Sequence, residues 1–182
     1  MSDQLVARGR FLDFIVRKGW EFVARRDVNG IVLIVPVTDA GAIVLVEQLR
    51  PPVGKNVVEL PAGLSGDDEG GKHETLEMSA LRELLEETGY EAATMERLVD
   101  GPPSPGVTSE IVTYFLARGL VKRHAGGGVG GERIVVHEVP LHRAEEWLLA
   151  RSREGALVDA KVWAGLYFAR HLGQVPGKTL LP

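Results

Sequence analysis

The stretch Arg82-Glu83-Leu84-Leu85-Glu86-Glu87-Thr88-Gly89 sets three carboxylates at i, i+3 and i+4. A helix turns about 100° per residue, so Glu83, Glu86 and Glu87 crowd onto one face. Like charges at that spacing destabilise a helix by about 0.2–0.5 kcal/mol per pair. The flanking pattern nevertheless demands a helix. Leu76, Ala80 and Leu84 recur at helical spacing across Thr75 to Thr88, and Gly89 is the residue type that ends helices in a left-handed cap. Carboxylates collected against that repulsion suit a hard divalent cation such as Mg2+, with Mn2+ as the alternative.

The rest of the composition narrows the class. With 182 residues, 45% of them hydrophobic and 25% charged, the chain suits one globular domain with a small appendage. The net charge of −4 is spread along the chain and no Lys/Arg tract stands out, which argues against a nucleic-acid polymer as partner. Cysteine is absent, so disulfides, thiolate zinc sites and a cysteine nucleophile are excluded. A reducing, cytoplasmic setting is expected. Met1 to Arg10 holds no apolar run of signal-peptide type. The longest apolar run, Ile31 to Val37, is too short to span a bilayer, so no membrane partner is expected.

Along the chain, Phe11 to Arg26 alternates loosely and reads as one or two short strands turning at Lys18-Gly19. Ile31–Val37 and Ala42–Gln48 flank the turn signal Asp39-Ala40-Gly41 and are expected to form a hairpin. Val57–Leu60 is a further strand, and Ser65 to Lys72 is a Gly/Asp-rich loop. After the helix come strands near Glu91–Leu98, Ile111–Gly119 and Ile134–Val139, the last two separated by the glycine-rich run Gly126 to Gly131. Arg143–Arg151 and Asp159–Leu172 read as amphipathic helices. Strands, a helix, more strands and then helices give an α+β class, a layered α/β/α sandwich rather than a doubly wound sheet.

Glu74, seven intervening residues, then Arg82-Glu83-Leu84-Leu85-Glu86-Glu87-Thr88-Gly89-Tyr90 resembles the Nudix hydrolase box. That box begins with a glycine six positions before its first glutamate, a place held here by Asp68. Gly63, after Pro61-Ala62 as in relatives that cleave ADP-ribose, is the better match and requires a five-residue insertion within Ser65 to Lys72. Insertions in such loops are cheap. The resemblance implies a Nudix-type sandwich with a mixed central sheet (residues 31–182) carrying an N-terminal antiparallel β extension (residues 1–30). It implies divalent-metal hydrolysis of a nucleoside diphosphate linked to another moiety. Matched by position, Glu83, Glu87 and the Ala62 carbonyl would bind metal. Glu86 would assist or hold a further ion, and Arg82 would pair with a box carboxylate.

Features outside the box resemble the ADP-ribose pyrophosphatase branch. Pro105 falls sixteen residues past Gly89, where that branch carries a proline, and Glu110 follows at the branch's spacing. Trp20-Glu21-Phe22-Val23-Ala24-Arg25 is similar to the strand that crosses to the partner in dimeric relatives. By that resemblance Trp20 would stack on a base, with Glu21 beside it, and Arg25 would meet phosphate. Leu64 and Pro105 would also line the substrate, and Arg50, closing Glu47-Gln48-Leu49-Arg50, would contact the diphosphate. Glu132, at the end of the glycine run, is the favoured catalytic base or further metal ligand, with Glu110 and Glu138 in reserve. The five histidines show no ligand spacing. The expected activity is cleavage of ADP-ribose or a related nucleoside diphosphate sugar by a homodimer. The alternatives are a GDP-mannose type of sugar nucleotide, suggested by Gly126-Gly127-Gly128-Val129, and a catalytically silent binding module.

Overall fold

The structure is a computed structural model that describes residues 3–66 and 74–172. The insertion expected between Ser65 and Lys72 lies for the most part outside these residues. In chain order the elements are β1 (Gln4–Arg8), β2 (Leu12–Arg17), β3 (Trp20–Arg25), β4 (Gly30–Pro36), β5 (Ala42–Arg50), β6 (Lys55–Glu59) and β7 (Ala62–Ser65). They continue with α1 (Leu76–Thr88), β8 (Tyr90–Gly101), β9 (Val112–Lys122), β10 (Val135–Pro140), a 3-10 turn (Leu141–Arg143), α2 (Ala144–Arg153), β11 (Leu157–Val158) and α3 (Ala160–Leu172).

Strands β1–β3 form their own antiparallel sheet. Arg17 pairs with Trp20 across the turn, and Lys18 and Gly19 have φ of 52° and 83°. Two positive φ angles are what a tight two-residue hairpin needs to match strand twist. β1 is a strand the sequence pattern does not announce, because every one of its residues is exposed and no buried face imposes alternation. The sheet is moored to its own chain through β3. Val23 N–H donates to Val107 O (2.9 Å), and Ser109 N–H donates to Val23 O (3.2 Å).

The middle layer consists of two four-stranded mixed sheets, ordered β7-β4-β9-β8 and β10-β5-β6-β11. Strand β4 is buried along most of its length and apolar on both faces, as strands between two helical layers must be. Its Val32 and Ile34 join Ala80 and Leu84 of α1 in one core. Leu33 and Val35 face the other way and pack with Leu148 of α2 and Leu166 of α3. In β9, Phe115 and Leu116 divide between the same two cores. These are the layers of an α/β/α sandwich.

The expected β4–β5 hairpin is corrected. The two strands meet at a single antiparallel bridge, Val37 with Ile43, and then part into different sheets. Thr38 closes the turn by accepting Ala42 N–H on its hydroxyl (3.0 Å), while Leu141 N–H fastens Gly41 O (2.9 Å). The edges of β5 are then taken by β6 and β10, and those of β4 by β7 and β9.

Glu47 stitches the second sheet to α2. It is 3% exposed and accepts from Arg151 Nη2 (2.7 and 2.8 Å), Asn56 Nδ2 (3.2 Å) and the His137 ring (3.0 Å). Burial pushes its pKa up, but the hydrogen bonds from Arg151, Asn56 and His137 outweigh it and hold the carboxyl below its usual range. Breaking such a pair leaves Arg151 without its main counter-charge. Glu47→Ala is expected to lower the unfolding free energy by about 3 kcal/mol, the low end for a buried pair since Arg151 keeps some solvent. Urea denaturation measures it, and a loss within error of zero would refute the role.

Candidate active site

The site is assembled by α1 and the segment Ala62-Gly63-Leu64 of β7. Thr75 caps the helix by accepting Met78 N–H on its hydroxyl (3.2 Å), and Gly89 ends it with φ of 74°. The helix carries its charges against β7 almost residue by residue. Ala62 N–H donates to Glu87 Oε2 (3.1 Å), and Arg82 Nη2 donates to Leu64 O (3.1 Å). Between them a Cβ on Gly63 would lie 1.9 Å from Glu83 Cδ. Any side chain there would displace the Glu83 carboxylate from its place against β7.

Arg82 relieves the carboxylate crowding. Nε and Nη2 grip Glu74 at 3.0 and 3.3 Å, and Nη1 reaches Glu83 (2.8 Å) and Glu86 (3.1 Å). A guanidinium presents five donors in a rigid fork, which lets one side chain bridge three acids. The Arg82 hydrogen bonds hold Glu74 below the usual carboxylate range despite burial, and raise the arginine's own pKa further.

Glu87 behaves oppositely. It is 5% exposed, and burial pushes its pKa up to about 8. The Ala62 N–H bond counteracts this, repulsion from Glu83 and Glu132 adds to it, and Arg50 draws it back down. Glu132 arrives on the glycine loop, which is docked on the C-terminus of α1. Gly127 N–H donates to Glu87 O (2.9 Å) and Gly128 N–H to Glu86 O (3.1 Å), satisfying carbonyls a helix end leaves unpaired. A Cβ at Gly126 would strike Thr88 at 2.5 Å. Val129 N–H then fixes the Glu132 carboxylate at 3.1 Å.

These groups face a cavity of about 460 Å³. Of the residues expected from sequence, Ala62, Leu64, Glu83, Glu87, Glu132, Arg25 and Arg50 line it. Glu86 and Arg82 sit behind it, engaged with each other. Trp20 (67% exposed) and Pro105 share a separate groove of about 380 Å³, and Glu21 is exposed outside both. Glu138 lies beside Lys122 and Tyr90, away from the cavity. The cavity also holds Glu110, one of the reserve bases, and two residues sequence reasoning did not place there, Glu59 and Lys161. Glu59 pairs with Arg50 (2.7 Å), Glu110 pairs with Arg25 (2.9 Å), and Lys161 comes from α3. The ion-pair partners become visible only through strand pairing.

Among the described residues, no three acidic or histidine side chains already form a metal cage. The donor chemistry nonetheless fits a hard divalent cation. Glu83, Glu87 and Glu132 are oxygen donors on one cavity, and Glu87 is a buried carboxylate opposed by its two acidic neighbours.

The structure is thus an α/β/α sandwich that gathers helix carboxylates and arginines over one cavity. The family model for the NUDIX domain matches residues 29–157, and the chain belongs to that family. Among curated proteins it is similar to a methanol dehydrogenase activator of Bacillus methanolicus, 37% identical over 72% of this chain and 67% of that protein. It is 44% identical to an ADP-ribose pyrophosphatase of Bacillus subtilis (strain 168), over the same shares of each chain. A GDP-mannose pyrophosphatase of Cronobacter sakazakii is 31% identical over 81% of this chain and 78% of that one. A solved structure described as an ADP compounds hydrolase superposes with a TM-score of 0.70 at 22% identity, over 93% of this chain and 90% of that one, which establishes the fold.

Glu87 also sets a pH dependence. Its folded pKa of about 8 lies above the ordinary value of 4.5, so between those pH values the metal-free folded state binds more protons than the unfolded chain. Stability of the metal-free protein therefore falls as pH rises through that window, by at most about 1.4 kcal/mol per pH unit from this group. Glu87→Gln is expected to flatten the slope in denaturation curves recorded with chelator. An unchanged slope would show that the burial of Glu87 is not what sets it.

Proposed function

We propose that the protein hydrolyses the diphosphate linkage of ADP-ribose or a related nucleoside diphosphate sugar, giving a nucleoside monophosphate and a sugar phosphate. The observation that carries this is the convergence of Glu83, Glu87 and Glu132 on one cavity with Arg25 and Arg50. Glu83, Glu87 and the Ala62 carbonyl would hold divalent ions, with Mg2+ foremost. Glu86 assists from behind, where it shares Arg82 with Glu83. Bound ions would neutralise developing charge on the diphosphate and acidify a water.

The chain's own residues do the rest. Arg50 and Arg25 exchange Glu59 and Glu110 for phosphate oxygens, since a guanidinium fork fits phosphate as it fits carboxylate. Glu132, fixed by Val129 N–H, accepts the proton of the attacking water as the bridging P–O bond breaks. Arg82 is a positioning residue. Leu64 lines the cavity, and Trp20 and Pro105 offer a surface to the base, with Glu21 exposed beside Trp20 on the other face of β3. Two features of the N-terminal sheet support a homodimer, with residues 1–30 as the dimerising extension: Leu5, Val6, Phe11 and Leu12 are exposed, and little of the sheet is buried within one chain. Sedimentation at monomer mass would overturn the dimer. A cysteine-free chain fits the cytoplasm as its site of action.

A GDP-mannose type of substrate is the second reading, supported by the glycine loop and by the named relative. The silent binding module is disfavoured by the intact trio Glu83, Glu86 and Glu87. Incubation with ADP-ribose and Mg2+ is expected to yield AMP and ribose 5-phosphate. Glu87→Gln should lower kcat roughly 100-fold or more while the chain stays folded. Turnover of GDP-mannose alone would move the substrate to the second reading, and no turnover of any nucleoside diphosphate sugar would sink the enzyme reading.

A further inference from the structure

The glycine loop that carries Glu132 has no ladder at its root. It leaves β9 after Lys122 and enters β10 at Val135, and those two strands belong to different sheets. One side chain spans the gap. Lys122 Nζ lies 3.7 Å from Glu138 Oε1, which joins the last residue of β9 to β10. The same ammonium donates to Thr88 O (3.1 Å) and sits 4.3 Å from the centre of the Tyr90 ring. Tyr90 is buried and is the cross-strand partner of Lys122. Burial pushes the Tyr90 hydroxyl up to about 12, and a hydrogen bond to Glu138 adds to the rise, so at neutral pH the hydroxyl donates to that carboxylate. Elements α1, β8, β9 and β10 therefore meet on one ammonium, whose three donors are not bound to a planar fork.

The end of α1 calls for a cation. A helix C-terminus favours positive charge, yet the last turn of α1 contains no basic residue. Lys122 supplies that charge from another strand. It also completes a seat for the loop. Gly128 N–H takes Glu86 O (3.1 Å), Gly127 N–H takes Glu87 O (2.9 Å), and Lys122 takes the next carbonyl, that of Thr88. Val129, the residue after Gly128, fixes the Glu132 carboxylate through its N–H (3.1 Å). Ile134 N–H returns to Gly127 O (3.3 Å) and closes the loop on itself. Lys122 itself does not line the catalytic cavity.

Resting on the reading of Glu132 as the base given under Proposed function, we infer that Lys122 is a positioning residue for Glu132. By joining Glu138 of β10 to Thr88 O of α1, it fixes both roots of the glycine loop relative to the helix that bears Glu83 and Glu87. Glu138 is then the anchor of this clamp on the second sheet.

Two measurements test the clamp. Lys122→Met keeps the aliphatic stem, and Lys122→Arg keeps the charge. In protein held in chelator, Lys122→Met is expected to speed amide hydrogen exchange at Gly127, Gly128 and Val129 roughly 10-fold, the sum of a lost ion pair and a lost helix-end charge. Amides of the β4–β9 ladder should keep their wild-type rates. In turnover, kcat should fall roughly 10-fold with KM unchanged, well short of the loss of about 100-fold for a reacting group misplaced by about 1 Å. Lys122→Arg should recover part of both effects. Adding Glu138→Gln to Lys122→Met should cost nothing further, because the pair acts as one unit. In a Glu132→Gln background, Lys122→Met should cost no further kcat, since the group it positions is gone. The same fractional loss of kcat in both backgrounds would overturn the assignment, and so would unchanged exchange in the loop. Faster exchange throughout the β4–β9 ladder would reduce Lys122 to a fold contact. The exchange rates need neither metal nor substrate. A wild type that hydrolyses no nucleoside diphosphate sugar would therefore count against the proposed function separately from the clamp.

Discussion

Arg82 makes the carboxylate face of α1 possible. Without a cation, Glu83 and Glu86 on one helix face oppose each other, with Glu87 one residue further on and Glu74 before the helix. One guanidinium bridges Glu74, Glu83 and Glu86 and uses a remaining donor on Leu64 O. That last bond ties the charge solution to the fold, because Leu64 belongs to β7 and β7 pairs with β4 at the centre of its sheet. The helix cannot slide along β7 without breaking Arg82–Leu64 and Glu87–Ala62, or driving Glu83 into the Gly63 backbone.

The other end of α1 is fixed by a different means. The glycine loop supplies backbone N–H groups to the carbonyls of Glu86 and Glu87, the two residues whose side chains point the opposite way along the site's chemistry. Glu86 is paired with Arg82. Glu87 is buried and opposed by Glu83 and Glu132. Capping the helix and positioning Glu132 are thus one structural event, and the glycines serve close approach rather than looseness alone: side chains at 126 or 128 would collide with Thr88 or with Glu132 itself.

What could be read from the sequence was what is local. The helix from Thr75 to Gly89 was legible because its caps, apolar spacing and carboxylate trio all lie within one continuous stretch. The Lys18-Gly19 turn was legible for the same reason. Strand partnership was not. β4 and β5 are adjacent in sequence across a good turn, yet each finds its hydrogen-bond partners elsewhere, and the bridge Val37–Ile43 is all that remains of the expected hairpin. The same limit governs the site. Arg25 and Arg50 could be picked out as phosphate-binding residue types, but their resting partners Glu110 and Glu59 depend on which strands meet. Lys161 is brought in by a two-residue strand, β11, too short to leave a pattern.

The charge balance of the cavity explains why carboxylates and phosphate can share it. Five acids line it (Glu59, Glu83, Glu87, Glu110 and Glu132) against three cations, Arg25, Arg50 and Lys161. Each of those cations already rests on a carboxylate: Glu110, Glu59 and Asp159. A diphosphate entering that field would be repelled by the acids it uncovers as it takes over their arginines. Burial is the main cause of the raised pKa of Glu87, and repulsion from Glu83 and Glu132 adds to it. Glu83 and Glu87 would hold a divalent ion there, and the ion would supply the positive charge that offsets their repulsion. On the proposed function, substrate affinity and cation affinity would be coupled through a single excess of negative charge, and a diphosphate would bind best once the cation is in place.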